Sequence, residues 1–203
     1  AMRLNRRAIL EALPLAAAVA ASLALSANAQ GMPPLGPGWH LERGVDQPSY
    51  AMAAVASPDL DIDLAVVSCE QGPDRRGLQL SLFQSRPGPL APYGAGDLKD
   101  DPAIDLVIDG VHYPAWLLFA DDHVVVADSA DGAIPLLSDA LVAALEDGHR
   151  LELRFDLVRE PPGQPAAFDA SAAVDLHAGT ALAAVRRCAE SADRPVETAE
   201  GGH

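Results

Sequence analysis

Asp59-Leu60-Asp61-Ile62-Asp63-Leu64-Ala65-Val66-Val67 alternates acids with aliphatics and then turns wholly apolar. A period of two is the spacing of a strand with one face in a core and the other in water. The pattern predicts Leu60, Ile62 and Leu64 inward, and Asp59, Asp61 and Asp63 outward. From Ala65 onward both faces are apolar, as expected where a strand passes under another layer.

The same period recurs on both sides. Leu78, Leu80 and Leu82 alternate after a charged turn over Gln71 to Gly77, giving a hairpin partner. Upstream, Trp39 to Arg43 and Tyr50 to Val55 are short strand candidates. Downstream, Ile104 to Ile108 and Val111 to Trp116 flank Asp109-Gly110, the strongest hairpin signal in the chain. His123 to Ala127 and Leu151 to Val158 follow, the latter broken by Pro161-Pro162-Gly163. A helical face is spelled by Leu136, Leu137, Ala140, Leu141, Ala144 and Leu145, with Gly148 at the place of a C-cap glycine. A second helix is expected from about Gly179 to Ala189. Residues 86–103, with four prolines and three glycines, read as a long loop. The expected fold is therefore α+β and β-rich. It is a mainly antiparallel sandwich or strongly curved sheet with two helices, one near the C-terminus.

The ends read differently. Arg3, Arg6 and Arg7 precede an apolar run from Ala8 to Leu25, and Ala27-Asn28-Ala29 supplies the small residues of a cleavage site. Residues 1–29 are thus expected to be a cleaved export signal. The Arg6-Arg7 pair suits a twin-arginine route as well as an ordinary secretory one. The alanine-rich run, interrupted by Glu11 and Pro14, is too weakly apolar for a stable membrane span. Residues 30–38 read as a Gly/Pro tether, 39–190 as one β-rich domain, and 191–203 as a frayed polar tail. The expected location is periplasmic or secreted.

Charge bounds the partners. The 203 residues hold 14 Lys+Arg and 29 Asp+Glu, a formal charge of -15. Without residues 1–29, which contain three arginines and one glutamate, it becomes -17. Such a field repels nucleic acid. Lys99 is the only lysine, so lysine chemistry rests on one side chain. Two cysteines, Cys69 and Cys188, most simply form one disulfide in an oxidising compartment. It would tie an early strand to the last helix and close a loop of about 120 residues, worth roughly 2–4 kcal/mol.

Motifs of catalysis are missing from the sequence: no nucleophile elbow, phosphate loop, dinucleotide fingerprint or H-E-x-x-H occurs. Six histidines are scattered one per element. The best metal-ligating set is Asp105, Asp109, His112, Asp121, Asp122 and His123, oxygen-rich with two imidazoles, and suited to a divalent cation. Aspartates also populate turns because they bond their own backbone, which accounts for the same residues without a metal. Asp59, Asp61 and Asp63 do not make a calcium loop, because Leu64 stands where the tight turn needs glycine. A carboxylate pair for glycoside hydrolysis lacks the aromatic platforms that sugars favour, with two tryptophans and three tyrosines in the chain.

The second half has a further layout: Ile108-Asp109-Gly110, the Leu136-Leu137 to Leu145 helix with Gly148, Leu151 to Phe155, then Val174-Asp175-Leu176, Gly179 and Ala181-Leu182-Ala183-Ala184-Val185. Over about residues 100–188 this resembles the exported invasion-associated locus B family. Over 39–188 it also resembles secreted accessory proteins of type VI secretion, in the placing of Trp39, Cys69 and Cys188. The resemblance implies a periplasmic, mostly β protein without settled catalytic residues, and the cysteine pair. The locus B proteins carry further mid-chain cysteines, and none lies between Cys69 and Cys188.

The leading functional expectation is a non-enzymatic envelope protein that works by contact with another envelope protein. The alternative is a periplasmic metal-binding protein using the Asp/His set. A hydrolase with a site assembled across loops ranks third.

Overall fold

The computed structural model describes residues 35–84, 98–120, 122–177 and 179–190, without the side chains of 188 and 189. The expected export segment 1–29, the tether as far as 34 and the tail 191–203 lie outside the described residues.

Eight strands close into an antiparallel barrel. They are numbered with three further strands in chain order: β1 (His40–Leu41), β2 (Tyr50–Ala56), β3 (Ile62–Gln71), β4 (Arg76–Gln84), β5 (Leu98–Ile108), β6 (Val111–Phe119), β7 (His123–Ala127), β8 (Ser129–Asp131), β9 (Ile134–Leu136), β10 (Arg150–Val158) and β11 (Ala170–Asp175). The ring runs β2-β11-β10-β5-β6-β7-β4-β3 and returns to β2. The curved sheet expected from the sequence is therefore closed on itself, in place of two stacked layers. Each of the eight ring strands thus has a bonded neighbour on both sides.

The wall segments are unequal. β3 and β4 pair along almost their whole length, from Ile62↔Gln84 to Gln71↔Arg76. β11 and β2 meet at two registered pairs, Ala173↔Ala56 and Val174↔Val55. Beyond them the edge of β2 is taken by β1, through His40↔Met52 and Leu41↔Ala51.

An eight-stranded barrel has room inside for side chains and little else. Leu80, Leu82, Leu106, Leu151, Leu153, Phe155 and Leu157 are fully buried there. The β2, β3 and β11 wall contributes alanines instead: Ala51, Ala53, Ala65, Ala170 and Ala172. Small residues on one wall leave volume for large ones on another, the usual way a small barrel is filled. The outward face of β10 reads Arg150, Glu152, Arg154 and Asp156, a row of charges that a lipid-facing wall would not carry. Among the described residues no helix is long and apolar enough to cross a membrane.

Two helices, α1 (Asp139–Asp147) and α2 (Thr180–Glu190), sit at the end of the barrel where β3 finishes and β4 begins. Leu141, Val142 and Leu145 of α1 and Leu182 and Val185 of α2 join the same core. Ser138 is the N-cap of α1; its Oγ accepts the Leu141 N–H at 3.2 Å, and its own N–H and hydroxyl donate to Asp128. Gly148 ends α1 as expected, but for a different reason. Its φ of -73° needs no glycine. A Cβ there would stand 2.5 Å from Ile108 Cγ2 and 2.7 Å from the Ala144 carbonyl, so close approach is what excludes a side chain.

Three expectations are corrected. Leu64 does not face the core: the β3–β4 register shifts between Ile62 and Leu64, so Leu64 turns outward opposite Phe83, while Ala65 and Val67 point in. Residues 98–103 are not loop but the start of β5. Pro102 is tolerated because the β5–β10 ladder is irregular there, between the Val158↔Leu98 and Asp156↔Ala103 pairs. Leu136 and Leu137 precede α1 rather than belong to it. The Asp109-Gly110 turn stands as read, with φ of 49° and 87°, the left-handed pair of a type I′ hairpin.

Phe155 is wholly buried on β10, between β5 and β11. Phe155→Ala is expected to cost about 3–5 kcal/mol in urea unfolding, against less than about 1.5 for Phe155→Leu.

Candidate interaction surface

The metal-ligating set of the sequence separates into pairs. Asp105 on β5 and His112 on β6 share the outer face, and His112 Nδ1 lies 2.6 Å from Asp105 Oδ2. Asp105 Oδ1 is buried without a hydrogen-bond partner. Asp109 sits at the hairpin tip, where its carboxylate accepts the backbone N–H groups of His149 and Arg150, each at 3.0 Å. Its role is to tie the β5–β6 turn to the start of β10. Asp122 lies 2.8 Å from His123 Nδ1, and the His123 ring stacks on Phe83 at 5.1 Å. Asp121 lies outside the described residues. Among the described residues no three His, Cys, Asp or Glu side chains gather where one ion would reach them.

The pairs carry chemistry of their own. The backbone N–H of His149, then its imidazole, hold the Asp109 carboxyl below the ordinary aspartate range. The His123 hydrogen bond does the same for Asp122. His112 has the orientation of a general base backed by a carboxylate, but no described hydroxyl or thiol is recorded as its partner. Lys99 is 12% exposed and bridges Asp156 and Glu160, and its hydrogen bond to Asp156 raises its pKa above the ordinary lysine value. An ammonium so held is not a nucleophile at neutral pH.

A different feature occupies the far side of the barrel. The registers place Met52, Val66, Ser81, Val125 and Leu118 in one cross-strand row over β2, β3, β4, β7 and β6, on the outward side of the wall; Ser81 and Val125 in its middle are buried, Met52 and Val66 half-buried and Leu118 exposed. A second row runs Ala54, Leu64, Phe83 and His123. Trp116 and Leu118, 42% and 40% exposed, extend the apolar area along β6. One flank of this area is already covered. The β8–β9 hairpin lies on β4, with Gln79 Nε2 donating to the Pro135 carbonyl at 2.9 Å. Gly77 makes room for it, since a Cβ there would meet Leu136 Cδ1 at 2.7 Å. The barrel thus has a charged outer side at β10 and β5 and an apolar outer side at β2, β3, β4, β7 and β6.

Sequence reasoning marked part of this surface without placing it. Ala65-Val66-Val67 is apolar on both faces, and Trp116-Leu117-Leu118-Phe119 and Val124-Val125-Val126-Ala127 repeat that signal. What was missing was the pairing that lines the three runs up. Cys69 lies on β3, half-buried at the helix-bearing end, and α2 packs against β3; the side chain of Cys188 lies outside the described residues. Comparison of the chain with family models, with curated proteins and with solved structures finds no match.

Because folding lowers the pKa of Asp109 and of Asp122, each stabilises the fold above the unfolded aspartate pKa and loses that contribution as pH falls through the lower folded value. Stability is therefore expected to fall below about pH 4. In urea titrations the deficit of Asp109→Asn against the parent should be largest at neutral pH and shrink to nothing in strong acid. A deficit independent of pH would contradict this assignment.

Proposed function

We propose that the protein is exported to the periplasm or beyond and acts there without catalysis, by binding another envelope protein through the apolar outer side of its barrel. The carrying observation is the exposed pair Trp116 and Leu118 on β6, at the rim of an outward row whose middle members, Ser81 and Val125, are buried. Large apolar side chains grouped on an exposed face mark sites of association. A barrel filled with leucine offers its outside for recognition more readily than its inside. The Trp116 and Leu118 side chains supply the large apolar anchors that dominate binding energy at such contacts.

The export reading rests on residues 1–29, and with it comes the disulfide. We take Cys69 and Cys188 as bonded, a brace between the helix-bearing end of β3 and α2. The packing of α2 on β3 supports it. The intact protein is then expected to gain about 2 Da on reduction, and Cys69→Ser to lose roughly 2–4 kcal/mol of stability in unfolding experiments. Two free thiols in the native product would remove the brace from this account.

Binding is tested by crosslinking and co-purification from envelope extract, with Leu118→Arg and Val66→Arg as controls. A charge at either position should abolish recovery of the partner while the melting temperature stays within a few degrees, because both side chains face outward. Equal recovery with parent and variants, or none with the parent under gentle conditions, counts against the proposal.

A further inference from the structure

Trp116, Leu118 and Phe119 stand exposed in one short run at the end of β6, at 42%, 40% and 36%. The charge around them is one-sided. β2, β3, β6 and β7 carry no lysine or arginine. The one on β4, Arg76, is its first residue, at the opposite end of that strand from Phe83. The cations on β5 and just after β10 are committed elsewhere: Lys99 bridges Asp156 and Glu160, and Arg159 lies 3.3 Å from Asp100.

Two exposed acids border the run. Asp101 stands on β5 two residues before Ala103, the registered partner of Trp116. Asp122 follows Phe119 in the β6–β7 turn, and its side chain is 72% exposed. The turn is held by backbone on both sides. The Ala120 N–H donates to the His123 carbonyl at 2.9 Å, and the Gln84 N–H of β4 donates to the Asp122 carbonyl at 3.3 Å. The hydrogen bond to His123 keeps the Asp122 carboxyl ionised at neutral pH.

Anything that covers Trp116 and Leu118 takes water from these acids. A carboxylate stripped of water without a compensating donor is costly, so a wholly apolar or acidic partner is disfavoured here. The formal charge of -15 adds a long-range preference, steering cations in and acids away. An exposed indole face is itself a seat for an ammonium or guanidinium group.

We infer that the partner segment seated on Trp116 and Leu118 is basic and amphipathic. Its apolar residues lie on β6, and lysines or arginines interleaved with them answer Asp101 and Asp122. This rests on the proposed reading of the apolar side as the partner surface, and adds the chemistry of the partner.

The probe is a labelled synthetic peptide that alternates leucine with lysine, set against its counterpart with glutamate for lysine. Anisotropy titrations of the full chain are expected to show saturable binding of the lysine peptide and none of the glutamate peptide. Affinity should fall about tenfold from low to physiological ionic strength. Asp101→Asn with Asp122→Asn should weaken binding about fivefold or more, and Leu118→Arg should abolish it. Asp46→Asn with Asp74→Asn removes the same charge at the helix-bearing end, and should change affinity by less than about twofold. No saturable binding, or equal binding of both peptides, overturns the inference. So does equal weakening by the two acid pairs, which leaves only the general field of the chain. Binding that needs the acids but not Leu118 overturns it too, because the apolar anchor is then idle. If the Asp101/Asp122 variant fails to fold, Asp101→Asn alone decides: unchanged affinity overturns the assignment. Recovery of the envelope partner separates this inference from the reading beneath it. A partner lost with Leu118→Arg but kept with both acids replaced leaves the surface in place and removes the basic partner. A partner indifferent to Leu118→Arg removes the surface itself.

Discussion

Ring closure is the constraint from which the rest of this structure follows. Once eight strands are bonded in a circle, each wall strand has a neighbour on either side, and the interior volume is set by strand number. That volume must be filled by side chains of matching size, or left to water. Here leucines from β4, β5 and β10 and Phe155 fill it, beside a wall thinned to alanine on β2, β3 and β11. Each fully buried leucine or phenylalanine contributes about 1.5–3 kcal/mol relative to exposure. An interior spent in this way leaves the outer surface, on the proposed reading, to carry recognition.

The outer surface divides by charge because strands from different parts of the chain are placed side by side. β10 and β5 bring Arg154, Glu152 and Asp105 to one side. β3, β4, β7 and β6 bring Val66, Phe83, Val125 and Leu118 to the other. The histidines follow the same logic. His112, His123 and His149 each lie beside an aspartate from their own or a neighbouring segment. Such pairs orient imidazoles and stiffen turns, and they disperse the acids that a metal centre would have to gather.

Local pattern made the hairpins legible. Asp109-Gly110 was read correctly because a type I′ turn is specified by two adjacent residues. The strand over Leu151 to Val158 was read because its alternation is unbroken. Other features depend on distant partners. β11, Ala170-Ser171-Ala172-Ala173-Val174-Asp175, has too few large or β-branched residues to announce a strand, yet it sits between β2 and β10. The need for glycine at position 148 comes from Ile108, forty residues away, and is invisible to a helix-capping rule. The irregularity at Asp63 flips Leu64 outward, a one-residue slip that alternation in the sequence does not reveal. For the site, the doubly apolar runs on β3, β6 and β7 were visible, and their alignment was not.

The short β2–β11 contact has a kinetic side. Those two registered pairs join residues near 55 to residues near 174, so the circle cannot shut until almost the whole polypeptide is available. Loop entropy makes that the last and slowest step of assembly, long after the local hairpins have formed. It also makes this slit the place where the wall parts first, with amide protons of Val55, Ala56, Ala173 and Val174 exchanging with solvent ahead of those in the long β3–β4 ladder.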